Sequence, residues 1–126
     1  MYSENDLSFL IRGAAFKVHA KLGPGLLESV YERVLTHELK KSGLTAITQE
    51  PIPMIYETLK IDVGFRLDIL VEDKVIIEVK SVAALADVHH KQLLTYLKLS
   101  NKRLGLLINF NTADIKKSII RIVNGL

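Results

Sequence analysis

Three residues of this chain, Asp68, Glu78 and Lys80, have the types and the spacing of a chemically active site. Asp68 belongs to an apolar run at residues 63–71, and Glu78 and Lys80 belong to the next apolar run, at residues 75–80. The residues between the two runs are typical of a turn, so the pattern predicts a β-hairpin. With a three-residue loop, Asp68 lies opposite Glu78, and Lys80, two positions further on, shares the face of Glu78.

Alternation along the two strands predicts one apolar face and one mixed face. The apolar face would carry Leu67, Ile69, Val71, Val75, Ile77 and Val79, and the mixed face would carry Arg66, Asp68, Leu70, Ile76, Glu78 and Lys80. A shift of the pairing by one residue would set the apolar row against the charged row. Burial therefore selects the register that brings the two carboxylates together.

Two carboxylates that lie opposite each other repel, and a divalent cation would remove that repulsion. Mg²⁺ prefers oxygen ligands and is typically held by one or two carboxylates together with waters and phosphate oxygens. Lys80 would then contact a metal-bound water or a phosphate. The pattern alone also allows another interpretation, in which the acids form cross-strand ion pairs with Arg66 and Lys80 on a solvated face.

The arrangement resembles the PD-(D/E)XK nuclease superfamily, with Asp68 as the first acid and Glu78-Val79-Lys80 as the E-x-K half. The segment Gly25–Tyr31 fits the GxxExxY signature of a small family within that superfamily, and Gln92–Tyr96 is similar to its Q-x-x-x-Y helix. The resemblance covers nearly the whole chain. Leu67 stands where the superfamily name has Pro, at a position that varies widely and does not touch the chemistry.

The resemblance implies a metal-dependent nuclease that hydrolyses phosphodiester bonds of nucleic acid, with DNA expected rather than RNA. Asp68, Glu78 and the Val79 carbonyl would hold Mg²⁺ or Mn²⁺, and Lys80 would orient the attacking hydroxide. Because the chain leaves little room for a substrate-recognition domain, activity could require a homodimer or a protein partner. The alternative functions are a nucleic-acid-binding or protein-binding module that keeps the fold without turnover, and a purely structural protein.

Glu28 and Tyr31 lie in a predicted helix at residues 26–41. At 100° per residue, Glu28 falls within an apolar arc, so we expect its carboxylate to face the core. That arc comprises Leu27, Val30, Tyr31, Val34, Leu35 and Leu39. The resemblance implies that Glu28 reaches the metal site, with Tyr31 in a supporting role, whereas the alternative is that Glu28 only stabilises the first helical turn.

Gln92 lies in a predicted helix at residues 87–99, on one face with Val88, Tyr96 and Leu99. An amide in an otherwise apolar stripe needs a polar partner. The resemblance suggests that Gln92 faces the active site, with Tyr96 packed beside it as a supporting residue. A core amide with its hydrogen bonds satisfied is the alternative.

Basic residues are concentrated in the C-terminal third, where the stretch from Lys91 onward has a net charge of +6 in a chain of +3 overall. We expect four of these residues to contact the phosphate backbone, namely Lys91, Lys98, Lys102 and Arg103. The alternative is a solvated basic surface. With four Tyr and four Phe the chain shows no base-stacking platform, so sequence-specific readout is not indicated.

Composition indicates one globular domain, residues 1–126, with 48% hydrophobic and 25% charged residues. The chain has no cysteine, which excludes disulfides, thiolate metal sites and cysteine nucleophiles. No run of about 18 apolar residues and no signal peptide is present, so we expect a cytoplasmic protein without membrane contact.

The element pattern predicts an α/β fold of the α+β mixed-sheet kind, with three helices and five strands. The strands are expected at residues 45–50, 63–71, 75–80, 104–110 and 118–123, and the first helix at residues 7–22. Pro51 and Pro53 would keep the first strand at an edge or end it early, and Gly64 would mark a bulge or a close backbone approach. This order is similar to a restriction-endonuclease-like α-β-β-β-α-β core with an extra N-terminal helix.

Overall fold

The computed structural model describes residues 1–126, apart from the side chains of residues 62 and 63. Its helices are α1 (Glu4–Leu22), α2 (Glu28–Lys41) and α3 (Asp87–Ser100). Its strands are β1 (Ala46–Tyr56), β2 (Leu59–Val71), β3 (Val75–Lys80), β4 (Leu104–Asn109) and β5 (Ile119–Val123), and a short 3₁₀-helix, Ile115–Ser118, precedes β5. The order confirms the predicted mixed α/β architecture, an α-β-β-β-α-β core preceded by an extra helix.

The strands form one sheet in the order β1-β2-β3-β4-β5. Only β3 and β4 are parallel, and all other neighbours are antiparallel. A parallel pair needs a long crossover, and α3 supplies it. β4 is buried along its whole length and β3 everywhere except at Lys80, as expected for central strands covered on both faces.

Helices cover both faces of the sheet. On one face, α1 and α2 pack against β2, β3 and β4 through a buried cluster that includes Ile11, Leu35, Ile69, Ile77 and Leu106. On the other face, α3 packs through a smaller cluster that includes Ile76, Leu93, Leu97 and Leu107. The carboxyl ends of the parallel strands β3 and β4 therefore meet at one edge of a three-layer structure, where ligands of α/β proteins usually bind.

The helix ends follow the capping signals of the sequence. Ser3 and Asp6 form a reciprocal capping box at the start of α1. α2 begins at Glu28, two residues later than expected, because Leu27 is extended and acts as the N-cap. At its other end, Gly43 has a φ of 91°, a conformation that favours glycine.

Of the two alternatives expected for Pro51 and Pro53, the early end of β1 is not found, because the strand continues to Tyr56. Its edge position was correct. An edge strand tolerates proline because one side of its backbone needs no ladder hydrogen bond. The expectation for Gly64 is confirmed: a Cβ atom there would lie 2.6 Å from the Ile52 carbonyl oxygen, and the register shifts between Ile52 and Met54.

No helix within the described part of the chain combines the length and the apolar character needed to cross a bilayer.

Candidate active site

The β2–β3 hairpin has the predicted register, and it brings Asp68 and Glu78 together just beyond the last ladder pair, Ile69 with Ile77. Glu78 Oε1 accepts a hydrogen bond of 3.3 Å from the Asp68 main-chain N–H. Asp68 Oδ2 accepts one of 2.8 Å from the main-chain N–H of Val79. Each carboxylate thus binds the backbone of the opposite strand where ladder hydrogen bonding stops.

The predicted alternation fails at one position, Leu67, which packs with Leu70 on the α3 side and not with Ile69 on the other side. The physical reason is an interruption at Asp68. The pairing of β1 with β2 skips Asp68 and its opposite residue Gln49, whose backbone is left-handed with a φ of 55°. Leu67 and Ile69, on either side of the interruption, therefore face opposite sides of the sheet.

Burial and mutual repulsion make the two acids difficult to ionise together. Burial raises the pKa of the Glu78 carboxyl from 4.5 to about 8, and the charge of Asp68 adds to the rise. Burial also raises the pKa of Asp68, against the opposing effect of the hydrogen bond from Val79. Glu78 is only 5% exposed. Such a pair is stabilised by a cation in the site, because opposite charge favours the ionised forms.

Lys80 and Tyr96 lie close to this pair. The ammonium of Lys80 counteracts the rise in the pKa of both carboxyls, as expected for a positive charge nearby. The Tyr96 side chain is buried against Phe65, with ring centroids 5.0 Å apart. Burial raises the pKa of the Tyr96 hydroxyl, and the charges of Glu78 and Asp68 raise it further.

Glu28 lines the same cavity as Asp68, although not in the way the sequence predicted. The first turn of α2 is exposed, including Glu28, Val30 and Leu27, which is 75% exposed, so the expected apolar arc was wrong there. This turn lies beside the cavity next to Asp68 and not over packed hydrocarbon. Glu28 Oε2 accepts a hydrogen bond of 3.2 Å from the main-chain N–H of Ser81, the residue that follows β3.

Tyr31 anchors the loop that leads into α2. Its hydroxyl donates to the Gly23 carbonyl (2.6 Å) and accepts from the Leu26 N–H (3.1 Å), and its buried ring stacks on Phe110 at a centroid distance of 4.6 Å. From the other side, Ser81 Oγ donates to the Leu26 carbonyl at 2.6 Å. The start of α2 is thereby tied to the ends of β3 and β4.

A cavity of about 260 Å³ opens beside the acid pair, lined by Glu28, Ser29, Glu32, Gln49, Asp68 and Val79. This volume is many times what a single water needs, so the cavity has room for a largely hydrated ion. Among the described side chains, no three acidic or histidine groups converge closely enough to enclose a metal. Two carboxylates, a main-chain carbonyl and water are a donor set that suits Mg²⁺, which keeps several waters when bound.

A family model described as the PD-(D/E)XK nuclease superfamily matches residues 5–122. The chain belongs to this superfamily. No curated protein and no solved structure matches the chain. Nuclease activity is the function that membership of the PD-(D/E)XK superfamily suggests, and divalent metals are its usual cofactors.

Gln92, the superfamily-like amide of α3, is exposed, as is Val88, so the predicted apolar stripe was wrong. A core amide is therefore excluded. Gln92 lies one helical turn before Tyr96 and thus on the same side of α3. Its side chain is exposed to solvent in the first half of α3.

The structure does not bring Lys102 and Arg103 to the PD-(D/E)XK acids. Lys102 forms an ion pair of 3.0 Å with Asp73 in the β2–β3 turn, and Arg103 donates to the Gly125 carbonyl. Both precede β4, whose first residue pairs with the first residue of β3. Lys80, at the other end of β3, is roughly 16 Å away at about 3.3 Å per residue.

The two lysines of α3, Lys91 and Lys98, are exposed. Lys91 lies beside Gln92 in the helical half nearer the site. Lys98 lies about 10 Å further along the axis, at 1.5 Å per residue, and toward the end of the sheet that carries Lys102.

Sequence reasoning missed four residues of the site: Ser81, Asn109, Glu32 and Gln49. Asn109 is almost fully buried and fixes the segment after β3, since its Oδ1 accepts from the Val82 N–H (3.1 Å) and its Nδ2 donates to the Val82 carbonyl (3.0 Å). An asparagine at the end of an otherwise apolar strand could have been recognised in the sequence as a candidate site residue. Ser81, Glu32 and Gln49 carry no comparable signal.

Proposed function

We propose that this protein is a metal-dependent nuclease that hydrolyses phosphodiester bonds of nucleic acid, with DNA as the preferred substrate and Mg²⁺ or Mn²⁺ as cofactor. One observation carries the proposal: Asp68 and Glu78 are held together with raised pKa values, beside Lys80 and an open cavity. A structural site would gain nothing from a buried Glu78 beside a half-buried Asp68, whereas a cation-binding site requires two such carboxylates.

In this mechanism Asp68, Glu78 and the Val79 carbonyl would hold the cation. A divalent metal in such a site lowers the pKa of bound water and polarises the phosphoryl oxygen. The Lys80 ammonium orients the attacking water and stabilises the negative charge that develops on the phosphoryl group. Glu28, which lines the same cavity, would accept a hydrogen bond from water in the site. Gln92 at the margin contacts the substrate strand, and Tyr96 packs behind it.

We also propose that the chain belongs to the GxxExxY family within the superfamily, because each signature residue has a distinct physical task. Gly25 has a φ of 98°, which only glycine adopts without strain. Tyr31 fixes the loop through its two hydrogen bonds. Glu28, between them, is thereby directed to the cavity beside Asp68.

We propose that residues 1–126 act as one domain and that Lys91 and Lys98 supply the phosphate contacts nearest to the site. Lys102 and Arg103 lie at the far end of the sheet, so they would contact nucleic acid only along an extended path. A homodimer or a protein partner remains part of the proposal for substrate recognition, since the site is small and open.

The test is a cleavage assay with labelled single-stranded and double-stranded DNA and RNA, in Mg²⁺ and in EDTA. We expect Mg²⁺-dependent cleavage of DNA that is lost in Asp68→Ala and in Lys80→Ala, with both variants still folded by thermal unfolding. Cleavage that survives in both variants would overturn the proposal. Salt-sensitive binding without cleavage would instead indicate the non-catalytic binding module.

A further inference from the structure

Gln49 has an unusual backbone for its place in the fold. Five described non-glycine residues have a positive φ, and four of them, Glu57, Glu72, Asp73 and Asn101, lie in turns or at a helix end. Gln49 alone lies within a strand. A left-handed conformation in a non-glycine residue persists only where the surroundings impose it, and such residues cluster at functional sites.

The position of Gln49 coincides with the candidate site. It faces Asp68 across the β1–β2 ladder, at a step that the pairing skips, and it lines the same cavity as Asp68 and Glu28. The irregular backbone thus places the Gln49 side chain in the cavity that Asp68, the residue that we propose as a metal ligand, also lines. A local irregularity of a strand beside an active site can re-aim a side chain, as a β-bulge does.

The Gln49 amide is oriented by Glu32. Gln49 Nε2 donates a hydrogen bond of 2.6 Å to Glu32 Oε1. Because an ionised carboxylate only accepts hydrogen bonds, the amide presents its NH₂ group to Glu32 and leaves Oε1 as an acceptor for another group. Glu32 lies one helical turn after Glu28, so both carboxylates occupy the same side of α2.

We propose that Gln49 is a positioning residue of the active site, whose Oε1, oriented by Glu32, accepts a hydrogen bond from a water on the bound metal. This inference rests on the proposed function. An amide suits the position because it accepts a hydrogen bond without adding another negative charge beside Glu28, Glu32 and Asp68. Held in this way, the water is directed toward the cavity where the substrate phosphate would lie.

The test uses Gln49→Gly, because glycine keeps the left-handed backbone and removes only the amide. Asn101→Gly is the matched control, since Asn101 has a φ of 56° at the end of α3, away from the site. Mn²⁺ affinity is measured by electron paramagnetic resonance, together with cleavage. Loss of a group that orients metal ligands typically costs 10-fold to 100-fold in affinity or activity, so we expect about 10-fold weaker Mn²⁺ binding in Gln49→Gly and no change in the control.

Gln49→Asn is a second variant, which retains an amide but shortens the side chain by one methylene. We expect it to lose as much Mn²⁺ affinity as Gln49→Gly. In Glu32→Ala, Mn²⁺ binding should also weaken, and the double variant with Gln49→Gly should be no weaker than the worse single variant, because the two side chains act as a unit. Wild-type Mn²⁺ affinity in both Gln49 variants would overturn the inference.

The experiments distinguish a failure of the nuclease proposal from a failure of the proposed role of Gln49. If the wild type cleaves DNA and the Gln49 variants bind Mn²⁺ normally, the nuclease assignment stands and the role of Gln49 is wrong. If the wild type does not cleave but Gln49→Gly weakens Mn²⁺ binding, the role of Gln49 at the metal stands and the nuclease assignment is wrong. If the wild type binds no Mn²⁺, both are wrong.

Discussion

Replacing Glu78 by the neutral, isosteric glutamine should stabilise the metal-free protein at pH 8. The raised pKa of Glu78 means that the folded state keeps a proton that the unfolded state releases. Below about pH 4.5 Glu78 is protonated in both states and does not affect stability. As the pH rises from there to about 8, the unfolded state loses this proton first, so the free energy of unfolding of the folded protein falls. The glutamine side chain of the Glu78→Gln variant keeps an acceptor for the Asp68 N–H and donates to the Asp68 carboxylate.

The size of the effect follows from the pKa. A rise from 4.5 to about 8 corresponds to roughly 4–5 kcal/mol at about 1.4 kcal/mol per pKa unit. Water in the adjoining cavity relaxes part of this penalty, so we expect Glu78→Gln to be more stable than the wild type by about 2 kcal/mol at pH 8. For a chain of this length that is a melting temperature higher by roughly 6–10 °C.

The assay is thermal unfolding followed by circular dichroism in EDTA, at pH 5 and at pH 8. Glu57→Gln, in the exposed β1–β2 turn, is the control and should change little at either pH. Mg²⁺ should restore the stability of the wild type at pH 8 without affecting Glu78→Gln. If Glu78→Gln were less stable than the wild type by the same amount at both pH values, the reasoning about the acid pair would be refuted.

Three further substitutions test single contacts. Lys80→Met should fold and bind Mn²⁺ but lose cleavage by about 100-fold or more, whereas Lys102→Met, at the far end of the sheet, should cleave normally in the same assay. Tyr31→Phe removes the hydroxyl that bridges the loop before α2, and it should lower the free energy of unfolding in urea by about 1–3 kcal/mol and slow cleavage. Gly64→Ala sets a methyl group against the Ile52 carbonyl, and it should destabilise by about 1–3 kcal/mol in the same urea experiment.

Each of these has a result that would count against it. Equal losses of cleavage in Lys80→Met and Lys102→Met would indicate general charge loss and not a local role for Lys80. A Tyr31→Phe variant with wild-type stability and activity would show that the loop does not depend on the hydroxyl. A Gly64→Ala variant as stable as the wild type would show that the backbones of β1 and β2 can separate at this point to accommodate the methyl group.

The hairpin register was predictable from the sequence because burial penalises a one-residue slip along the whole β3 strand. The same alternation failed at Leu67, because it assumes an unbroken ladder. The left-handed backbone of Gln49 opposite Asp68 breaks that ladder, and no local pattern marks a glutamine for that conformation.

Helical periodicity predicted the position of α2 correctly, but it wrongly predicted that Glu28 faces the core. Periodicity reports which side chains share a face, and it does not report where that face leaves the sheet and overlies a cavity. The clustering of basic residues along the chain likewise did not predict which of them lie near the candidate site. Lys102 and Arg103 follow Lys98 closely in sequence, yet the crossover returns them to the opposite end of the sheet from Lys80.

The central claim is that Asp68 and Glu78 jointly hold a divalent cation, and a Mn²⁺ titration followed by electron paramagnetic resonance tests it most directly. We predict one bound Mn²⁺ per wild-type chain. In Asp68→Asn, which keeps the shape and the acceptor for the Val79 N–H, affinity should fall by about 100-fold. Equal stoichiometry and affinity in the wild type and in Asp68→Asn would contradict the account.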